Sequence, residues 1–476
     1  MPVKHVCLAV TALLLAPLAA PAQTLRLPTL RLPPPSETPQ TPDFATDPLL
    51  ALLAAPRDPD FTARLVEAVA RHPAVGEADA NARAALAQRR QARAALFPTL
   101  SLSLSSTRSL GRAFEGFSAL IESVNPVGRT DAQIALDQPL LDLGARSRLA
   151  GAGARTRAAR ADADASLVTI ALEALTAAHE VFALQGLVDI AAARAARHRQ
   201  ILSQTRTRAE AGLTAMADIP RIEAGLAQAE AQAQVQGRAL AAARARYAEL
   251  FGMPAPTQPG RPALPQSRAT SPAHAAELSH DTPPVLAALA VAEAARAEAK
   301  ATTRDALPRL TGNLGANRYN AFSPGPNYDI RGSLVLRQTF SAGGLEASRT
   351  AEARARAEAA QHQADRIAAQ AAREAESAFA EAMILDQSRA SLEAGYRASR
   401  KARDAMAEQV RLQRGALVEL LRAEDEYAAA AGALLQTSLE ADLARFVLLA
   451  RTGELTSQFG LAQPRPGTPR PAPHHH

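Results

Sequence analysis

The 476-residue sequence has one cysteine, no tryptophan and only 4% aromatic residues. So few large aromatic side chains argue against large compact globular cores. The composition is dominated instead by Ala, Arg, Glu, Gln and Leu, which favour long packed helices. Long helices are therefore expected before any motif is considered.

The single cysteine, Cys7, lies in an apolar stretch that follows Lys4 and has the features of a secretory signal peptide, residues 1–22. Small residues at the end of this stretch favour cleavage before Gln23. A mature chain without cysteine forms no disulfide and has no thiol chemistry. Because Cys7 does not stand at the end of the apolar stretch, we expect no lipid anchor.

Beyond residue 22 the sequence lacks a run of about 18 apolar residues, the length that a membrane-spanning helix needs. An exported chain of this kind is either a soluble periplasmic or secreted protein, or it crosses the outer membrane as β-strands. The 53 Lys and Arg residues are interleaved with 47 Asp and Glu residues and do not form blocks. Because interleaved charges are typical of solvated helix faces, nucleic-acid binding is not expected.

Proline-rich stretches divide the chain into two bodies of similar size. Residues 23–59 are an N-terminal leader that we expect to be extended, 253–280 a linker or equatorial segment, and 454–476 a C-terminal tail. The bodies between them, 60–252 and 281–453, show the same order of helical stretches, short alternating segments and glycines. An internal duplication explains this order better than chance.

Each repeat contains one very long helical stretch, predicted over residues 145–211 in the first and 345–414 in the second. At 1.5 Å per residue, each would form a helix of roughly 100 Å, which no globular domain needs. Shorter helical stretches of about half that length could stack end to end beside each long one. Two apolar seams on the first long helix indicate neighbours on both sides, as in a closed ring of helices.

Before each long helix, apolar and small polar residues alternate over segments long enough for tilted membrane strands. The predicted strands are 99–108 and 130–138 in the first repeat, and 309–318 and 328–338 in the second. Aromatic residues, rare elsewhere, cluster in or beside these hairpins, as interfacial anchors do. Since four strands cannot close a barrel alone, we expect the chain to form oligomers.

The sequence contains no HExxH, P-loop or GxSxG motif, and its histidines are scattered without the spacing of metal ligands. For the terminal residues His474, His475 and His476, we favour a short disordered tail over a weak metal site. The sequence therefore predicts no enzyme, no metal site and no cofactor.

The order and spacing of these features resemble the TolC family of outer-membrane channel-tunnel proteins over nearly the whole mature chain. The segments that carry the resemblance are the two helix ends 96–98 and 307–308, the segments 138–144 and 338–344 before the long helices, and the turns after Gly212 and Gly415. The resemblance implies a mainly α-helical fold with a membrane β-barrel portion. It further implies a homotrimer that forms one twelve-stranded β-barrel in outer-membrane lipid, above a long periplasmic α-helical barrel.

The same resemblance implies roles for the two helical turns at the periplasmic tips, where the family docks a periplasmic adaptor and closes the tunnel. The candidate adaptor contacts are Gly212, Leu213, Thr214, Gly415, Ala416 and Leu417. We expect the tip glycines to supply the left-handed conformation that commonly ends a helix.

The candidate pore constriction comprises Asp218, Glu419 and Arg422. Glu419 matches a position where the family often has an acidic residue, whereas Arg422 departs from the acidic residue expected one helical turn later. Three copies of Glu419 and Arg422 could pair across subunits, or these charges could simply be solvated at the start of a helix.

Two function hypotheses follow from this sequence. The first is a passive outer-membrane exit duct of a Gram-negative bacterium, which conducts substrates from an inner-membrane transporter and its adaptor in an efflux pump or type I secretion system. The alternative is a soluble periplasmic coiled-coil scaffold. The hairpins distinguish the two, because only the duct requires them to lie in a membrane.

Overall fold

The computed structural model describes residues 32, 35, 44, 47–54, 60–111, 128–257, 259–262, 264–322, 327–340 and 342–461. The predicted signal peptide, the segment 112–127 and the terminal histidines lie outside these residues. In chain order the elements are α1 Pro48–Ala54, α2 Phe61–Arg71, α3 Pro73–Ala94, β1 Thr99–Arg108, β2 Gly128–Leu141, α4 Leu143–Glu210, α5 Asp218–Phe251, α6 Pro272–Ser279, α7 Pro283–Asp305, β3 Arg309–Arg318, β4 Tyr328–Arg337, α8 Leu345–Arg411, α9 Leu417–Arg451 and α10 Leu455–Gln458.

The two repeats have the same architecture: a half-length helix, a β-hairpin, one long helix and a second half-length helix. The long helices α4 and α8 have 68 and 67 residues, so each is roughly 100 Å long. Helices α3 and α5 pack beside α4, and α7 and α9 pack beside α8. Each chain therefore contributes four helical columns, two of them built from a pair of shorter helices.

Local sequence explains where the long elements begin and end. The carboxylate of Asp142 accepts a hydrogen bond from the backbone N–H of Ala145 at 2.7 Å and caps the N-terminus of α4. Proline occupies the first turn of α3 and of α7, where its missing N–H costs no helical hydrogen bond. Helix α5 ends at Gly252, whose φ of 66° is the left-handed conformation that favours glycine.

The core is distributed unevenly between the two long helices. Helix α4 packs against α3 and α5 on one side and against α7 and α9 on the other. Ala171, Ala174 and Leu175 are among its fully buried residues, and the small alanines allow close approach of the neighbours. Helix α8 instead packs against α6, α7 and α9. Its buried residues are fewer, so its opposite face remains open within the single chain.

One 18-residue stretch of α4 has a mean hydropathy of 1.6, enough by length and composition for a membrane span. More than half of that stretch, 56%, is buried inside the protein. Packing among four helices explains this apolar composition, as in the core helix of a soluble protein.

The four strands form one antiparallel sheet in the order β1-β2-β3-β4. Strand β2 is longer than the predicted 130–138, and its pairing with β3 shifts register between Pro139 and Leu141. The pairing places apolar side chains side by side; one row across the sheet is Leu102, Ile134, Ala316 and Ile330. The sheet consequently has one apolar and one polar face.

Three segments that the sequence analysis treats as leader, linker and tail contain short packed helices. The leader is not extended throughout, because α1 forms at Pro48 and buries Leu49. In the linker, α6 buries Ala275 against alanines of α8. The tail forms α10 and packs Phe459 into the main core. Apolar side chains within these proline-rich segments find partners that are distant in sequence.

A buried polar cluster fastens the leader to the second repeat. The carboxylate of Asp47 accepts hydrogen bonds from the hydroxyl of Tyr396 at 2.8 Å and from the guanidinium of Arg400 at 2.5 Å. It also accepts the backbone N–H groups of Leu49 and Leu50, which caps α1. The Tyr396 hydroxyl lies 3.0 Å from that of Tyr427. Burial is the main cause that raises the pKa of Tyr396 above its usual range.

We expect Asp47→Ala to detach α1 from α8, because it leaves the Arg400 guanidinium buried without its carboxylate, at a cost of about 3–5 kcal/mol. Hydrogen exchange should rise in residues 47–54 and around Tyr396. The control is Glu393→Ala, which removes a half-exposed partner of Arg397 and should cost at most about 0.5 kcal/mol. Equal exchange in both variants would contradict the role assigned to Asp47.

Candidate functional site

The apolar face of the sheet carries exposed leucine and isoleucine side chains on all four strands; Leu102, for example, is 76% exposed. The opposite face carries polar residues, and the side-chain amide of Asn313 donates to the carboxylate of Asp137 at 2.8 Å. Contiguous apolar surface of this kind marks a protein or membrane contact. Strand alternation with one apolar and one polar face is the pattern of transmembrane β-barrels.

The outer edges of β1 and β4 are not paired within the described sheet. Such edges present free N–H and C=O groups, which natural proteins pair or cover. In a bilayer each unsatisfied backbone group costs several kcal/mol, so an open sheet cannot span it. The sheet therefore requires further strands from another chain if it lies in a membrane.

At the first helical tip, between α4 and α5, Gly212 has a φ of 70°, as the sequence analysis expects. The backbone N–H of Leu213 reaches back to the carbonyl of Arg208 at 2.8 Å and closes the end of α4. Leu213 is 69% exposed and Met216 is 68% exposed, whereas Thr214 is half-buried. Met216 adds an exposed apolar side chain that the candidate contacts did not include.

The second tip, between α8 and α9, differs from the expectation. The residue with positive φ is Gln413, not Gly415. Gly415 instead lies against the last turn of α8, where an added Cβ would come within 3.1 Å of the Gln409 side chain. Glycine is favoured there because the backbone comes close to α8, and Ala416 beside it is exposed.

Leu417, a candidate adaptor contact, is only 4% exposed. It packs in an apolar cluster at the tips that includes Ile201 of α4, Ile222 of α5 and Leu420 of α9. The candidate contact is therefore corrected: Leu417 joins the two tips and offers no side chain to a partner. Leu412, half exposed at the end of α8, presents the apolar side chain at this tip.

The three candidate constriction residues lie at the starts of α5 and α9. Asp218 is the first residue of α5 and is half-buried, where the positive end of the helix dipole favours a carboxylate. Arg422 pairs with Glu419 of the same chain at 3.5 Å, with both side chains exposed to solvent. This within-chain pair differs from the pairing across subunits that the sequence left open, and exposed pairs of this kind contribute little stability.

Three contacts between α4 and α9, which we call the inter-repeat clamp, were not apparent from the sequence. Arg194 pairs with Asp425 at 2.7 Å, Arg197 pairs with Glu424 at 2.7 Å, and Nε2 of His198 lies 2.9 Å from Asp425. Burial lowers the pKa of His198, although the nearby Asp425 acts in the opposite direction. The clamp joins the two repeats just above the apolar cluster of the tips.

We expect acid to loosen the inter-repeat clamp. Because the pKa of His198 in the folded state is below its ordinary value of about 6.5, the fold favours the neutral imidazole. The stability that neutral His198 contributes is fully present above the pKa of this histidine in the unfolded chain. It is lost as the pH falls through the pKa of His198 in the folded chain. Hydrogen exchange around residues 194–201, corrected for intrinsic rates, should therefore increase below about pH 6.5.

The variant His198→Asn should remove this pH response, and His280→Asn, at an exposed histidine, should retain it. A response that survives in His198→Asn would contradict the assignment.

Comparison with known proteins adds two findings. Residues 65–252, most of the first repeat, match the family described as outer membrane efflux protein. No curated protein matches the chain by sequence.

Several solved structures share the fold. The outer-membrane channel OprN matches with a TM-score of 0.74 and 22% identity, covering 85% of this chain and 92% of OprN. A membrane protein from Pseudomonas aeruginosa matches with a TM-score of 0.75 and 20% identity, covering 84% of this chain and 92% of that protein. The outer membrane protein VceC from Vibrio cholerae matches with a TM-score of 0.73 and 18% identity, covering 83% of this chain and 96% of VceC.

These findings confirm the predicted resemblance and the predicted mainly helical fold of outer-membrane channel tunnels. The first repeat matches an efflux-protein family, and the described chain has the fold of outer-membrane channels. The family match supports the exit duct over the soluble coiled-coil scaffold.

Proposed function

We propose that the protein is the passive exit duct of a tripartite efflux pump, because its first repeat matches the outer membrane efflux protein family. The duct lies in the outer membrane of a Gram-negative bacterium and extends into the periplasm. The observation that carries this proposal is the four-stranded sheet, with its apolar face and two unpaired edges, at one end of helices roughly 100 Å long.

The functional unit that we propose is a homotrimer. Strand β1 of one copy pairs with β4 of the next, so that twelve strands close one barrel and no edge remains. The open face of α8 packs against α3 and α5 of the neighbouring copy. This packing gives α8 neighbours on both sides, as α4 already has within the chain.

At the periplasmic end, the proposed partner is a periplasmic adaptor protein bound to an inner-membrane transporter that supplies the energy. Exposed Leu213, Met216 and Leu412 provide the apolar contacts, and Gly212, Thr214, Gly415 and Ala416 shape the turns that present them. Leu417 has no part in this contact. The same architecture also suits type I secretion, but the family match favours efflux.

For the periplasmic constriction, we propose three copies each of Glu419, Arg422 and Asp218. The pair of Arg422 with Glu419 cancels their formal charges, so Asp218 sets a weak preference for cations. The proposed duct needs no catalytic residue and no cofactor, since conduction follows the gradient that the transporter creates.

A matched pair of strand variants tests the membrane assignment. We expect Leu102→Asp to abolish heat-stable trimers in the outer-membrane fraction, because it places a charge on the lipid face. Such a charge costs roughly 2–4 kcal/mol for Arg or Lys at the middle of the bilayer, and somewhat less for Asp. Ser103→Asp, the neighbouring residue on the polar face, should leave the trimers intact. Recovery of the wild-type protein from the periplasm as a soluble monomer or dimer would overturn the duct.

Single-channel recordings in planar bilayers test the constriction. Removing the cation with Arg422→Ala should increase cation selectivity, because the three Glu419 carboxylates lose their partners and act together with the three Asp218 carboxylates. Glu419→Ala should shift selectivity toward anions. The control Arg451→Ala removes an exposed cation at the opposite end of α9 and should leave selectivity unchanged. Unaltered selectivity in both tip variants would show that these residues do not face the pore.

A further inference from the structure

Next to the sheet, helices α3 and α4, with one residue of α7, line a surface groove of about 650 Å³. Small and apolar residues line part of it. The rest of the lining is five arginines and one glutamate: Arg89, Arg90, Arg93, Arg146, Arg157 and Glu293. We call it the arginine groove. Its volume is within the range of about 300–1,000 Å³ that is usual for ligand sites.

The sequence concentrates positive charge in this part of the chain. Neither the last 15 residues of α3, 80–94, nor the first 19 of α4, 143–161, contain Asp or Glu. At Gly153 of α4, an added Cβ would lie 3.8 Å from Nε of Arg89, an ordinary van der Waals distance, so the Arg89 side chain lies next to this glycine. Leu86 and Leu149 supply apolar contact within the groove.

Within the described part of the chain, four of the five groove arginines lack the carboxylate partners that arginines on the opposite face of α4 have. On that opposite face, Arg148 pairs with Asp305 at 2.7 Å and Arg155 pairs with Glu298 at 3.4 Å. In the groove, Arg157 pairs with Glu293.

Among the residues that the structure describes, Arg89, Arg90, Arg93 and Arg146 form no ion pair. Four cations in one groove repel one another, and an external anion would relieve this repulsion. Arginine is also the side chain best suited to bidentate binding of phosphate.

One end of the groove lies next to the apolar sheet. The Arg93 guanidinium lies 5.8 Å from the ring of Phe97, which is 53% exposed just before β1 begins. Arg146 lies one helical turn after Asp142, the N-cap of α4. Both arginines are thus within one or two turns of the apolar sheet, and the headgroup layer of a bilayer is roughly 5–8 Å thick.

Helical geometry places the groove on the outside of the proposed tunnel. Thr156 of α4 contacts α3, and Gly151 of α4 contacts α7. With about 100° of rotation per residue, these two contacts are about 140° apart around the axis of α4 when measured through Arg148. Measured through Arg146, the same two contacts are about 220° apart. Neighbours therefore converge toward the Arg148 side, which faces the interior of a closed ring, and the groove opens outward.

We propose that the arginine groove binds the phosphate headgroup of an anionic phospholipid in the periplasmic leaflet of the outer membrane. This inference rests on the proposed function, because it requires the sheet to lie in that membrane. Arg93 and Arg146 contact the headgroup first, and Arg89 and Arg90 complete the site below them. Three such grooves in the trimer fix the height and tilt of the helical barrel relative to the membrane.

The test is native mass spectrometry of the full-length trimer in mild detergent, titrated with phosphatidylglycerol, phosphatidylethanolamine or inorganic phosphate. The wild-type protein should bind phosphatidylglycerol in preference to the zwitterionic lipid. The triple variant Arg89→Gln/Arg90→Gln/Arg93→Gln should weaken this binding on the order of 100-fold, since each cation near a lipid surface contributes about a factor of five.

The matched control is Arg349→Gln/Arg354→Gln/Arg356→Gln, which removes three exposed arginines near the start of α8. These arginines lie in the same part of the second repeat, and the control should bind phosphatidylglycerol within about twofold of the wild-type protein. Equal affinity for both lipids, equal losses in both variants, or displacement of the lipid by millimolar inorganic phosphate would overturn the lipid site. If the triple variant fails to assemble, Arg90→Gln alone should still weaken binding about fivefold, and an unchanged affinity would overturn the site.

The two proposals fail in different ways. A wild-type trimer without preference for anionic lipid overturns only the arginine groove. A wild-type protein that is soluble without detergent overturns the outer-membrane duct itself.

Discussion

Backbone hydrogen bonding at the edges of the four-stranded sheet is the constraint on which the architecture depends. An antiparallel sheet with an exposed apolar face and free edges is prone to association in water, and in a bilayer it must have no free edge. Pairing within the chain ends at β1 and β4, so closure has to come from other copies. The amphipathic strands, the one-sided packing of α8 and the proposed trimer are consequences of the same requirement.

Duplication of one structural unit has not produced two equivalent halves. In the first repeat, α4 has neighbours on both sides within the chain and buries residues along most of its length, many of them alanines. In the second repeat, α8 buries few residues and exposes charged side chains along much of its length. The difference follows from position: one long helix lies inside the protomer, and the other lies at the boundary that the proposed trimer would cover.

The helical tips combine rigid packing with polar contacts that respond to solution conditions. An apolar cluster containing Leu417 and Ile222 brings the starts of α5 and α9 together. Above it, the inter-repeat clamp connects α4 to α9 through charged groups and His198. Burial favours the neutral form of His198 although Asp425 lies next to it, so we expect this contact between the repeats, unlike the apolar cluster, to respond to pH.

The sequence by itself determined the local elements and their order, because helices and amphipathic strands leave periodicities of 3.6 and 2 residues. The alternation around Leu102 and Leu314 predicted the strands and their apolar face, and Gly212 predicted a left-handed helix end. Tertiary structure decided which residues meet across long separations. Leu417 is buried because α4 and α5 lie beside it. At the second tip, Gln413 has the positive φ, and Gly415 is constrained by its close approach to the last turn of α8. Asp47 accepts a hydrogen bond from Tyr396. The unpaired arginines line one groove only because α3 packs against α4. A local sequence pattern does not show which charges from distant parts of the chain will lie next to a side chain.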